Sequence, residues 1–94
     1  MDAYDAVADP TRRAVLDLLA ERARPAGEIV AAFPHLTQPA VSRHLRVLRD
    51  AGLVDVTAQA QHRVYALRRG ALDEVAAWAA KVASDPQATD TRKR

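Results

Sequence analysis

Leu36-Thr-Gln-Pro-Ala-Val-Ser-Arg-His-Leu-Arg-Val-Leu-Arg-Asp-Ala-Gly-Leu-Val54 decides the fold, because this stretch starts, packs and stops as one helix. Thr37 is placed to cap it, and Pro39 falls in the first turn, where a missing N–H costs no hydrogen bond. Gly52 stands where a helix end takes a left-handed residue, and Leu53 is positioned to fold back onto Leu48. At 100° per residue Val41, Leu45 and Leu48 share one side, while Ser42, Arg46 and Arg49 lie roughly opposite. The polar side is built from Gln38, Ser42, Arg43 and Arg46 and carries no acid before Asp50. Donor-rich side chains in this arrangement match the phosphates and base edges of a nucleic-acid duplex.

The 94 residues make room for one small domain with a thin core, a size at which pairing with a second copy often completes the burial. There is no cysteine, which excludes disulfides, thiolate metal sites and thiol redox sensing. No apolar run reaches the roughly 18–20 residues of a membrane span, and no secretory leader pattern opens the chain, so a cytoplasmic protein is expected. Net charge is only +2, but its distribution is uneven. Residues 1–33 carry −2, residues 34–69 carry +4 and residues 70–94 are neutral, with all three histidines (His35, His44, His62) in the basic middle. A basic middle between acidic and neutral flanks is the footprint of a phosphate-binding surface.

Outward from the central helix, Asp9-Pro10 opens a helix running to about Arg22, with Ala14, Val15, Leu18 and Leu19 as its apolar stripe. A short helix over about Asp2–Ala8 precedes it and carries Tyr4 and Val7. Pro25-Ala26-Gly27 is read as a break, followed by a helix over about Glu28–Phe33. Two helices joined by a short turn, the second capped by Thr37, make a helix-turn-helix. After Gly52 the period becomes alternating. Val54, Val56 and Ala58 form one strand and Val64–Leu67 a second, a wing behind the polar helix. The tip, residues 59–63, lacks Asn-Gly or Asp-Gly and is expected to be a longer, mobile loop. A last helix over Gly70–Ala83 carries Leu72, Val75, Ala76, Ala79, Val82 and Ala83 as an apolar stripe, with Trp78 off it. Pairing with the same helix of a second copy is favoured over packing within its own domain. Residues 84–94 read as a disordered polar tail. The expected class is therefore α+β, mainly helical with a small β-hairpin, in one domain over 1–83.

Three motifs, Ala8-Asp9-Pro10-Thr11-Arg12-Arg13, Leu36–Leu45 and Leu48-Arg49-Asp50-Ala51-Gly52-Leu53-Val54, resemble the ArsR-type winged helix-turn-helix transcription regulators. The resemblance covers about residues 3–83. It implies a homodimer with the first and last helices at the interface, here Tyr4, Val7, Leu72, Val75, Ala76, Ala79 and Val82. It also implies a recognition helix in each major groove of an inverted-repeat operator on double-stranded DNA, usually for repression. Two departures stand out. Many relatives sense metals through cysteines, which this chain lacks, and others through histidines on the last helix, which here offers only Asp73 and Glu74. Carboxylates alone are poor ligands for zinc-like ions, so a metal-independent regulator with no cofactor and an unassigned effector is expected. The wing also lacks the glycine often present at its tip.

Gln38, Ser42 and Arg43 are the expected base readers, since Arg bonds guanine and Gln bonds adenine through two hydrogen bonds. Thr37 and Pro39 belong to the same helix entry, and Arg46, Arg49 and Arg63 are placed as phosphate clamps. For Arg49 an internal ion pair with Asp50 or Asp55 competes. His62 at the wing tip is a candidate for a phosphate or minor-groove contact, whereas His44 is expected to be packed and hydrogen-bonded. Arg12 and Arg13 are read as surface residues, with a phosphate contact at the start of their helix as the alternative. An enzyme is disfavoured, because Ser42 and Ser84 are the only serines and no nucleophile–His–carboxylate set or glycine-rich phosphate loop occurs. Two alternatives stay open: a metal-responsive repressor using His35, His62 or a carboxylate pair, and a winged helix that docks proteins.

Overall fold

The computed structural model describes residues 2–84. In chain order the elements are α1 (Ala3–Val7), α2 (Pro10–Glu21), β1 (Arg24–Pro25), α3 (Ala26–Ala31), α4 (Gln38–Asp50), β2 (Val54–Gln59), β3 (His62–Leu67) and α5 (Asp73–Ala83). The strands form one antiparallel sheet in the order β1-β3-β2. This is the α+β winged helix-turn-helix expected from the sequence, with α3 and α4 as the two helices of the motif. The polar tail expected over 84–94 lies, apart from Ser84, outside the described residues.

Local chemistry explains the helix boundaries. Asp2 caps α1 by accepting the Asp5 N–H at 3.0 Å. Asp9 caps α2 by accepting the Arg12 N–H at 3.0 Å, with Pro10 as the first helical residue. Thr37 Oγ1 accepts the Ala40 N–H at 3.2 Å. At the far end of α4 Gly52 takes φ +79°, its N–H bonds Arg49 O at 3.0 Å, and the Leu53 N–H bonds Leu48 O at 2.9 Å. That pair of bonds is a Schellman closure, and Leu48 and Leu53 are both fully buried beneath it.

The core lies where α4 meets α2 and the sheet. Val41, Leu45 and Leu48 are buried as the helical period requires, against Val15, Leu16 and Leu19 of α2, Ile29 of α3, and Leu53, Val54 and Tyr65. Burial of each such aliphatic side chain is worth about 1.5–3 kcal/mol, which fixes the rotation of α4 and so decides which of its residues face outward.

Several expectations are corrected. Pro25-Ala26-Gly27 is not a break: Pro25 occupies the N-cap position and α3 starts at Ala26 rather than at Glu28. Proline is well tolerated there, having no N–H to lose. Arg24 and Pro25 also pair with Tyr65 and Val64, adding a strand too short to show any period. The wing tip is a tight two-residue turn, not a long loop, because Gln59 pairs directly with His62. Ala60 meets the geometry by adopting φ +55°, a region alanine rarely enters. The last helix begins at Asp73, after a turn in which Gly70 takes φ +85°. Arg12 is half-buried, not a free surface residue. Its guanidinium donates to Ala6 O at 2.8 Å and Asp5 O at 3.2 Å, while Arg13 donates to Val7 O at 2.7 Å. The two arginines thus satisfy the terminal carbonyls of α1.

Helix α5 buries none of its residues. Val7 and Leu16 together with Leu72, Val75, Ala76 and Ala79 line an open apolar groove of about 350 Å³, rimmed by Arg13 and Asp17. Trp78, 55% exposed, packs edge-on against Tyr4 with ring centroids 6.0 Å apart. No helix among the described residues is long and apolar enough to cross a membrane.

Candidate nucleic-acid interface

The buried stripe of α4 leaves Gln38, Ser42, Arg43, Arg46 and Arg49 exposed along its outer side, with Thr37 and Pro39 exposed at the helix entry. Gln38, Ser42, Arg46 and Arg49 sit at steps of four, four and three, so they run as a row along the helix. On β3, Arg63 and Tyr65 are two residues apart and share one strand face. That face meets the row of α4 along a seam.

Three hollows open along the seam. One of about 340 Å³ includes Gln38, Ser42, Arg63 and Tyr65, with Ala26, Gly27 and Val30 of α3 as its wall. A second, about 290 Å³, is bounded by Ser42, Arg46, Arg49, Arg63 and Tyr65. A third, about 340 Å³, lies on the outer flank among Pro39, Ser42, Arg43 and Arg46. Ser42 borders all three and is the centre of the surface. His62 borders none of them; it is exposed at the wing end opposite Gln59.

The arginines fall into two groups. Arg22 and Arg24 bond Glu28 at 2.8 and 2.9 Å, Arg24 also bonds Glu21 at 2.7 Å, and Arg68 bonds Asp55 at 2.5 Å. Those guanidiniums hold the Glu28 and Asp55 carboxyls below the usual carboxylate range. Arg43, Arg46, Arg49 and Arg63 make no ion pair and no side-chain hydrogen bond among the described residues. The internal pair considered for Arg49 forms with neither Asp50 nor Asp55 among the described residues; Asp55 pairs with Arg68 instead. Four permanently charged groups without counter-charges on one surface create a field that favours a polyanion.

His44 lies on the opposite side of α4. Its Nδ1 is 3.4 Å from Arg12 Nη1 and 3.9 Å from an Asp9 carboxylate oxygen, so it is the packed residue expected, tying α4 to the start of α2. Asp9 is held below the usual carboxylate range, chiefly by the Arg12 N–H, with the His44 and Arg12 charges adding to it. Two site features were not legible in the sequence. Tyr65 reads there only as a strand residue, although its spacing from Arg63 places both on one face. The Arg68–Asp55 pair depends on the two strand ends lying side by side.

A sequence profile of the helix-turn-helix domain family matches residues 7–57. The chain is 33% identical over 75 residues to the transcriptional repressor SdpR of Bacillus subtilis, covering 80% of this chain and 82% of that protein. A crystal structure of a possible transcriptional regulator for arsenical resistance superposes with a TM-score of 0.84 at 30% identity, covering 100% of this chain and 97% of the other. A crystal structure of an ArsR family transcriptional regulator superposes at 0.75 and 32% identity, covering 83% and 85%. Fold, motif order and these likenesses agree with a DNA-binding role and not with an enzyme. The chain belongs to the ArsR-type winged helix-turn-helix family of transcriptional regulators.

Proposed function

We propose that the protein is a homodimeric repressor that binds an inverted-repeat operator, with α4 of each copy in a major groove. The observation that carries this reading is the convergence of uncompensated Arg46, Arg49 and Arg63 on Ser42, at the seam between α4 and the wing. Gln38, Ser42 and Arg43 reach base edges in this arrangement; Arg46, Arg49 and Arg63 take phosphates; Thr37 and Pro39 set the entry of α4; His62 reaches the backbone or minor groove beyond the wing turn. Dimerisation is supported by α5, none of whose residues is buried among the described residues and whose apolar side chains border the groove against Val7 and Leu16. Repression is supported by the likeness to SdpR, itself a transcriptional repressor.

The test is selection of bound duplexes from a random pool at fixed salt, followed by footprinting and sedimentation of the complex. Two protomers per duplex are expected, protecting half-sites about one helical turn, roughly 10 bp, apart. A reporter driven from a promoter overlapping the selected site should lose expression when the protein is supplied. A single unpaired half-site bound by one protomer would overturn the dimeric reading.

A further inference from the structure

The second hollow contains a group that the basic surface alone does not explain. Tyr65 is 8% exposed, so its ring is held by the fold, and it is paired on both sides in the sheet, with Arg24 and with Val56. Its hydroxyl makes no hydrogen bond among the described residues, yet no side-chain oxygen or nitrogen there is sealed from solvent without a partner. A largely buried tyrosine normally places its hydroxyl on a protein acceptor or donor. Here the side chain borders a hollow of about 290 Å³ whose other walls are Ser42, Arg46, Arg49 and Arg63. Three guanidiniums and two hydroxyls supply only donors or rotatable donor–acceptors, and no carboxylate borders the hollow. Such a cavity favours an oxyanion, whose charge the guanidiniums match, and disfavours a cation.

We propose that this hollow is a seat for one phosphate group, in which the Tyr65 hydroxyl donates a hydrogen bond to a phosphate oxygen held by Arg46, Arg49 and Arg63. The proposal rests on the DNA-binding reading above and assigns the phosphate to the duplex backbone at the junction of recognition helix and wing. Tyr65 then differs from the arginines around it. Being neutral and pinned by the sheet, it displaces no counterion and contributes direction, fixing how far the wing stands from the backbone. The arginines contribute charge and reach.

Tyr65→Phe is the decisive variant, because it keeps the packed ring and removes only a hydroxyl that makes no hydrogen bond among the described residues. Its thermal unfolding should match wild type. Its affinity for selected and random duplexes should fall alike, by about tenfold or more, as expected for one hydrogen bond to a charged acceptor. The slope of affinity against salt should stay unchanged, whereas Arg46→Ala flattens it. Duplexes carrying a single neutral methylphosphonate at successive positions locate the contact. One position per half-site should weaken wild type strongly and Tyr65→Phe much less. Identical methylphosphonate profiles and equal affinities for the two proteins would overturn the assignment to the backbone. Titration of inorganic phosphate into the free protein at fixed ionic strength, followed by the arginine side-chain resonances in both proteins, separates the remaining source. Saturable binding that Tyr65→Phe loses, alongside identical methylphosphonate profiles, assigns the seat to free phosphate and overturns its assignment to the duplex. No saturable binding and no effect on the duplex removes the site altogether. Should wild type bind no duplex, the functional reading fails while the phosphate titration still decides the hollow.

Discussion

Whether an arginine of this protein reads, clamps or braces depends on what surrounds its guanidinium. Arg12 and Arg24 are drawn inward by carbonyls and carboxylates, while Arg43 and Arg63 are left facing water. Arg43→Ala, which removes a two-pronged base contact, should cost about 1–3 kcal/mol on the selected operator and relax preference at one base pair per half-site. Arg63→Ala should weaken every duplex alike and reduce the salt slope by about one. Equal losses for Arg43→Ala on operator and random DNA would refute its assignment as a base reader, and a changed preference with an intact salt slope for Arg63→Ala would refute that residue's assignment to phosphate. Ala60 is a different case, strained by φ +55° at the wing turn. Left-handed backbone costs alanine about 1 kcal/mol that asparagine largely avoids. Ala60→Asn should therefore raise the unfolding temperature by a few degrees, and Ala60→Val should lower it. A lower melting point for Ala60→Asn would show that the turn is not strained.

At the scale of elements, legibility follows length and period. Helices α2 and α4 announce themselves because caps, stripe and stop signal agree over three or more turns. The outer row of α4 follows from the same period, as residues opposite the buried stripe have nowhere else to point. Strand β1 left no trace, since two residues carry no alternation, and its existence depends on β3 arriving beside it. The wing turn misled for another reason: turn chemistry favours glycine or asparagine, and Ala60 occupies the position without either. Tyr65 was hidden because alternation reports which face a strand residue is on, not what that face meets. Helix α5 was legible as a stripe but not as a boundary, Gly70 having placed a turn ahead of it. Its unburied stripe yields an element-scale expectation. Val75→Glu with Ala79→Glu puts two charges into the groove that borders α2, and should give monomers with intact helix content and much weaker operator binding. Light scattering at micromolar concentration checks it, and a monomeric wild type would refute the interface.

Considered as a whole molecule, the chain has no thiolate to offer a metal. It has no cysteine, and its last helix carries carboxylates but no histidine. Adding zinc, cadmium, copper or arsenite to the protein–DNA complex should leave affinity unchanged within error; stoichiometric uptake with DNA release would refute this. Acid is a different matter. Asp9, Glu28 and Asp55 all have folded-state pKa values below their ordinary ones. Carboxylates lowered in this way add stability that is present above the unfolded value, about 4, and is lost as pH falls through the folded values. Melting temperature should thus drop below about pH 4. Asp9→Asn, which keeps a capping acceptor but cannot titrate, should shed part of that drop. An acid limb identical to wild type would remove Asp9 from the account.

The closure at Gly52 has an evolutionary consequence. The last turn of α4 and the first residue of β2 are separated only by residues 51–53, and two of those, Gly52 and Leu53, are committed to the hydrogen bonds that join helix to wing. The angle between them is therefore set by buried leucines and backbone, none of which faces the duplex. Gln38, Ser42, Arg43 and Arg46 carry no cap and no core contact, so exchanging them should cost the fold no more than about 0.5 kcal/mol each. Binding specificity can thus diverge after gene duplication, one exposed letter at a time, while the frame that aims those letters is inherited intact.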